Sequence, residues 1–336
     1  MMRSPRFWDR DVDPKSREAA SLTRILLTPL AAIYAGMTKR RIAQADPHTL
    51  TIPVICVGNI SVGGTGKTPV AAALRDRLSA QLPGARIATL SRGYGGSSKG
   101  PLKVDFTVHT AGDVGDEALM FSCSGEAWIG ADRALAGQAM EQDGVDLIIM
   151  DDGHQNPGLH KDLSLIVVDR QSVFGNGHVI PKGPLREPVA VGLSRADAIV
   201  LTGSGDMPEE LDACPLPIIQ SHLVPRSANL PRTYVAFAGI GRPEKFFSTL
   251  EQCGASIAET VPFPDHHVYT DSDITYLKAL AEKREATLIT TEKDFVRLRA
   301  SQRTGILAFP VRAEFENDDV LDHLLEPLVQ RARQAK

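Results

Sequence analysis

The stretch Gly58–Pro69 reads GNISVGGTGKTP. Its glycines at 63, 64 and 66 let a backbone approach an oxyanion closely and turn several N–H groups toward it. Lys67 adds a cation for the outer phosphates of a nucleotide, and Thr68 adds a hydroxyl suited to a divalent metal. An apolar run precedes the loop and a helical pattern follows, so a helix N-terminus would add positive potential. Pro69 suits a first helical turn. The pattern departs from GxxxxGK[ST] at Ser61, where glycine is usual. Val62 stands where the switch ATPases with GGTGKT carry lysine, which argues against that class. The expected nucleotide cradle is Ser61, Val62, Gly63, Gly64, Thr65, Gly66, Lys67 and Thr68.

Carboxylates form the second set. Asp146–Gly153 reads DLIIMDDG, an apolar strand ending in acids, and Asp151 and Asp152 could hold Mg²⁺ directly or through water. Asp116 and Glu117 could orient a hydroxyl and accept its proton, though alone they read first as a capping pair opening a helix. Asp265-His266-His267 stands far along the chain; adjacent histidines diverge on a regular element and make a poor metal pair. Arg92, Arg133, Lys182 and Arg186 are candidate phosphate or transition-state cations.

These residues need a scaffold, and the chain is large enough for one. Its 336 residues suggest two domains, with 43% hydrophobic and 23% charged residues. The net charge of −4 argues against a nucleic-acid partner. Cys56, Cys123, Cys214 and Cys253 are scattered, which excludes a CxxC zinc site and reads as free thiols. Short apolar runs at 52–57, 86–90, 146–150, 163–168 and 198–201, with Ile218–Ile219 as a further candidate, alternate with helical stretches. That pattern is a parallel α/β sheet buried on both faces. Residues 220–232 carry prolines and turn formers and read as a linker. A second α/β set follows, with runs at 234–238, 287–290 and 305–311. The expected order is an N-terminal region over 1–45, a P-loop core over 46–219, the linker, and a smaller α/β domain over 233–336.

The N-terminus mixes acids and bases and does not read as a signal peptide. Leu22–Met37 is mostly apolar and is followed by Lys39, Arg40 and Arg41. With Pro29 inside, it reads as too short and broken to span a bilayer. It either packs on the protein's own core or lies in a membrane interface.

The ordered motifs NISVGGTGKTP, LSRGYGG, GDEALM, DDGHQN, FGNGHVIPKGPLREP, FAGIGRPEKF, FPDHH and TTEKDFVRL resemble those of the tetraacyldisaccharide 4′-kinases of lipid A synthesis, from Phe7 to about Leu298. The resemblance implies transfer of the ATP γ-phosphate to the 4′-hydroxyl of a tetraacylated glucosamine disaccharide 1-phosphate. It implies a peripheral enzyme at the cytoplasmic face of the inner membrane, with the N-terminal helix reaching the lipid. It implies a P-loop core hinged to a smaller α/β domain, with ATP and Mg²⁺. The family's catalytic dyad maps to Asp116 and His266. Its Walker pair maps to Lys67 and Thr68, and its acidic pair to Asp151 and Asp152. Glu117, Arg92, Arg133 and Glu187 fall on further motif positions, Glu117 and Glu187 as metal candidates.

Overall fold

The computed structural model describes residues 5–13, 15–226, 230, 232–241, 243–316 and 318–334. The first residues of the N-terminal region and part of the expected linker lie outside them. In chain order the strands are β1 (Val54–Gly58), β2 (Ile87–Ser91), β3 (Leu102–Lys103), β4 (Glu126–Ile129), β5 (Leu147–Asp151), β6 (Leu163–Asp169), β7 (Ala198–Thr202), β8 (Ile218–Pro225), β9 (Thr233–Ala238), β10 (Ser256–Pro262), β11 (Thr287–Thr291), β12 (Ile306–Phe309) and β13 (Val311–Phe315). The helices are α1 (Ser21–Ala43), α2 (Lys67–Gln81), α3 (Ala111–Val114), α4 (Asp116–Ser122), α5 (Arg133–Gln142), α6 (Val189–Leu193), α7 (Pro243–Gln252), α8 (Asp271–Lys283), α9 (Glu292–Arg297) and α10 (Asp318–Gln334).

The strands form a nine-stranded sheet, ordered β13-β8-β7-β6-β1-β5-β2-β4-β3, and a four-stranded sheet, ordered β10-β9-β11-β12. Only β3 and β13 run antiparallel to their neighbours. The central strands β1, β2, β5, β6 and β7 are buried at every position, as expected of strands covered on both faces. Strand β1 lies between β5 and β6, so the loop after Gly58 emerges beside the acids that end β5. Ligands of open α/β sheets gather at these carboxyl-terminal strand ends.

The carboxyl-terminal boundary differs from the sequence expectation. The run at 305–311 is not one strand: Pro310 divides it, β12 stays in the small sheet, and β13 pairs with β8 in the large one. The first half of the expected linker is therefore strand β8. Helix α10 returns to the P-loop body, burying Leu321, Leu325 and Leu328 against the layer that contains Val70, Leu74 and Leu78 of α2. Arg77 reaches Asp322 at 2.7 Å, and Arg331 donates to Asp162 and to the carbonyls of Leu50, Thr51 and Ile52 just before β1. Strands β3, β4 and β10 have no counterpart among the expected strands. Strands β3 and β4 are two and four residues long, and β10 alternates exposed and half-buried positions at a sheet edge.

Helix α1 also differs. It is 23 residues long and continues through Pro29. By length and composition, Arg17–Ala43 could cross a membrane. Only Ala31 and Thr38 are buried within α1, while Leu22, Ile25, Leu26, Leu30, Ile33 and Met37 are exposed.

Because α10 completes the P-loop body, Leu325→Ala should lower unfolding free energy by about 2–5 kcal/mol, read by urea denaturation. A loss below about 0.5 kcal/mol would show that this helix is not part of that core.

Candidate active site

Strand β1 delivers the phosphate loop rigidly, and Gly66 lets the chain enter α2. Gly66 caps the helix at φ 86°, a left-handed conformation that favours glycine. Thr65 is locked from both sides: Asn59 Nδ2 donates to its hydroxyl at 3.2 Å, and Thr202 Oγ1 donates to its carbonyl at 3.0 Å. A Cβ on Gly63 or Gly64 would meet nothing within 4 Å, so the turn is open for a ligand. The front of the loop is occupied by the GPLREP segment. Ser61 bridges Leu185, and the Val62 N–H donates to the Pro184 carbonyl at 2.8 Å. The Val62 amide therefore does not point a free donor at phosphate, contrary to expectation.

Lys67 Nζ lies 3.6 Å from Asp152 Oδ1, which also accepts Arg186 Nη1 at 2.7 Å. Burial raises the Asp152 pKa, but Lys67 and Arg186 outweigh it and hold the carboxyl below its ordinary value. Asp151 is the opposite case. Both its oxygens are buried without a hydrogen-bond partner. Burial, reinforced by Glu117, drives its pKa well up despite Lys67. An orphaned buried carboxylate beside a phosphate loop fits a site for a hard cation with oxygen ligands. Thr68 sits one residue into α2, and Glu117 shares this edge. Among the described residues, no group of three acids, histidines or cysteines forms a ready metal cluster. Mg²⁺ does not need one, since phosphates and waters usually complete its shell.

Glu187 is placed differently from the expectation of a metal ligand. Arg195 Nη2 donates to both its oxygens, at 2.9 and 2.8 Å, and Gln155 Nε2 donates at 2.9 Å. Its buried carboxylate closes an internal ion pair. Gln155 also accepts from Arg186, so the pair braces the residue that holds Asp152. Arg133 is buried at the start of α5 and donates to the Gly130 carbonyl, while its Nε lacks a partner. Burial and the neighbouring Arg92 push its pKa down to about 10, against the pull of Asp152 and Asp151.

The second cluster joins what packs on the nine-stranded sheet, the P-loop body, to what packs on the four-stranded sheet, the smaller body. Gly115, at φ 86°, precedes Asp116, and a Cβ there would lie 2.5 Å from the Tyr94 carbonyl. This contact sets RGYGG against GDE. Asp116 Oδ2 lies 3.2 Å from His266 Nδ1 and 3.7 Å from Lys293 Nζ. It accepts Arg297 Nε at 3.0 Å and Nη2 at 2.5 Å. Burial alone would raise the Asp116 pKa; His266, Lys293 and Arg297 together hold it well below the usual range. Glu117 Oε1 is 3.5 Å from the same Lys293. His266 has φ 58°, an uncommon conformation for a side-chain-bearing residue. His267 turns away, stacking on Phe263 and placing Nε2 3.0 Å from Asp273. The geometry thus brings His266, and not His267, to Asp116.

Sequence reasoning overlooked Lys293 and Arg297. They lie one turn apart on α9, within TTEKDFVRL, so a shared helix face was readable; its orientation toward Asp116 was not.

The model of the family "Tetraacyldisaccharide-1-P 4'-kinase" matches residues 23–330. The chain belongs to this family. The tetraacyldisaccharide 4′-kinase of Hyphomonas neptunium is 54% identical, covering 98% of this chain and 99% of the relative. That of Maricaulis maris is 46% identical over 98% and 97%. The kinase also resembles the crystal structure of Aquifex aeolicus LpxK in complex with ATP, with a TM-score of 0.73, 26% identity, and coverage of 91% and 99%. The P-loop α/β core with a mostly parallel sheet is thus the family fold.

One motif residue of the kinase has a structural consequence that can be measured. His154 of DDGHQN is buried, with Nε2 2.9 Å from the Gly192 carbonyl and Nδ1 unpartnered. Burial and Arg195 push its pKa from 6.5 down to about 4. Between those values the unfolded chain binds a proton that the folded chain refuses, so stability rises with pH there. The contribution is present above pH 6.5 and is lost as pH falls toward 4, by about 3 kcal/mol at most. His154→Gln keeps a donor for Gly192 and should flatten this limb, read by urea denaturation across pH 4.5–7.5. An unchanged slope would mean that His154 titrates normally.

Proposed function

We propose that the chain transfers the γ-phosphate of ATP to the 4′-hydroxyl of a tetraacylated glucosamine disaccharide 1-phosphate, with Asp116 as proton acceptor. One observation carries the site assignment: Lys293 lies 3.7 Å from Asp116 and 3.5 Å from Glu117, and both Glu117 and Lys293 act electrostatically on Asp151, so the nucleotide site and the proton acceptor are neighbours. The loop N–H groups and Lys67 would hold the outer phosphates. Arg133 stands near the acidic pair and Arg92 near Arg133, so both could meet charge that develops on the transferred group. Thr68 and Asp151 would hold Mg²⁺, with Asp152 and Glu117 beside them; when bound, the ion supplies charge neutralisation on the phosphates.

The acceptor oxygen attacks the γ-phosphorus, the bond to the ADP oxygen breaks, and the hydroxyl proton passes to Asp116. Three cationic or hydrogen-bonding neighbours make Asp116 a weak base in the resting site. A loose transition state tolerates this, because the hydroxyl becomes acidic only as its bond to phosphorus forms. His266 orients the carboxylate from the other body.

Helix α1 supports work at a membrane surface. Leu22, Leu26 and Met37 are 78, 76 and 69% exposed, and Lys39, Arg40 and Arg41 follow the apolar face. Such a stripe would enter the lipid interface, and each basic residue near anionic headgroups adds about 1 kcal/mol. We place the protein peripherally at the cytoplasmic face of the inner membrane, where ATP and the acylated acceptor meet.

Transfer of labelled γ-phosphate to the disaccharide 1-phosphate lipid in mixed micelles tests the reaction. The wild type should label the lipid, and Asp116→Asn should lower kcat by about 10²–10⁴-fold. Lipid-independent ATP hydrolysis without labelled lipid would instead favour a membrane-bound ATPase switch. Labelled lipid at equal rates from both proteins would keep the kinase and remove Asp116 as the base. Separately, Leu26→Glu with Ile33→Glu should weaken sedimentation with anionic vesicles at least about tenfold while leaving KM for ATP unchanged. Unaltered sedimentation would overturn the role of α1.

A further inference from the structure

Arg297 is held by hydrogen bonds on two sides. It is carried by α9 of the smaller body, with only 6% of its side chain exposed. From behind, the Gly239 carbonyl accepts Nη1 at 2.6 Å, and Asp294 Oδ1 accepts it at 2.8 Å. Asp294 is itself fully buried, and its Oδ2 accepts the Thr291 hydroxyl at 2.7 Å. The guanidinium plane is therefore set before it meets Asp116. Toward the cleft, Nε and Nη2 both donate to Asp116 Oδ2, and Nη2 lies 3.2 Å from His266 Nδ1. Among the described contacts, the other oxygen, Oδ1, accepts only the Glu117 N–H at 3.0 Å. It keeps acceptor capacity for a proton.

We propose that Arg297 is a positioning residue for phosphoryl transfer: it pins Oδ2 of Asp116 and leaves Oδ1 to face the acceptor hydroxyl. The proposal rests on Asp116 being the proton acceptor. A planar fork is needed for this task. One edge of the guanidinium grips Oδ2 while another nitrogen is held by Gly239 and Asp294, and an ammonium cannot reproduce that geometry. Asp116 and Arg297 belong to different bodies, so positioning the base and seating the smaller body on the larger are one contact. Misplacing a reacting group by about 1 Å can cost about 100-fold in rate.

The experiment compares Arg297→Met and Arg297→Lys, each also in an Asp116→Asn background, by kcat and KM with the same micellar lipid assay. Expected are a fall in kcat of about 100-fold for Arg297→Met with KM for ATP within about threefold, and a partial recovery of at least about tenfold for Arg297→Lys. In the Asp116→Asn background, Arg297→Met should change kcat by less than about threefold, because no base remains to position. Thermal melts and ATP binding check that each protein is folded; if Arg297→Met is not, Arg297→Lys with its double mutant decides. Arg297→Lys at the wild-type kcat, a loss confined to KM, or fully additive losses would overturn the proposal. Full activity in Asp116→Asn alone would instead remove the base assignment on which it stands.

Discussion

One carboxylate oxygen ties the molecule together. Oδ2 of Asp116 stands on the P-loop body and receives Arg297, His266 and Lys293, all from the smaller body. A buried carboxylate without such partners would take up a proton, and its penalty would fall on the site itself. With them it stays ionised. Asp169 and Lys245 repeat the arrangement, at 3.1 Å across the same junction. Arg303 stacks 4.5 Å over Phe106 from the other side. Charged and polar contacts surround the reacting group at this junction, and Val296 of α9 adds an apolar one by burying itself in the core of the larger sheet. Interfaces of that kind hold bodies in register and still permit them to move.

The phosphate cradle follows a complementary electrostatic rule. Lys67, Arg186 and the buried Arg133 stand ready for negative charge. Beside them, Asp151 is buried with no hydrogen-bond partner among the described residues. Lys67 and Arg186 are already paired with Asp152, whereas the orphaned Asp151 would gain its partner from a metal bound with the phosphates. The surrounding structure is correspondingly stiff: β1 is buried throughout, Thr65 is locked by Asn59 and Thr202, and the GPLREP segment is paired to the loop. Rigid delivery of the loop is what makes such preorganised charge useful, because no reorganisation is needed when charge develops.

Helix α1 sets a different kind of constraint. A soluble body rarely leaves so many large apolar side chains on one helix in water. The helix meets the protein along a narrow side, through Ala31, Thr38 and the half-buried Leu27, Ala35 and Ile42, with Arg41 donating to the Gln155 carbonyl at 3.4 Å. Its stability in place depends on whatever covers the exposed face, and a bilayer surface would cover it.

Residue order by itself determined the α/β class, the phosphate loop and the acidic strand end, because these depend on local spacing. A buried strand, a glycine turn and a helix start are neighbours in the chain, and their chemistry is written in consecutive residues. The ordered motifs also determined the family, and with it the pairing of Asp116 and His266. Tertiary structure alone decided the rest. The return of β13 and α10 to the first body turned on Pro310 breaking a strand and on apolar faces finding partners far away in sequence. Glu187 looked like a free ligand until Arg195 was seen to occupy it. Arg297, an ordinary helical arginine in sequence, became the closest partner of the proposed base. Ion pairs between residues separated by most of the chain have no local signature, since only the packing of one body on another brings them within reach.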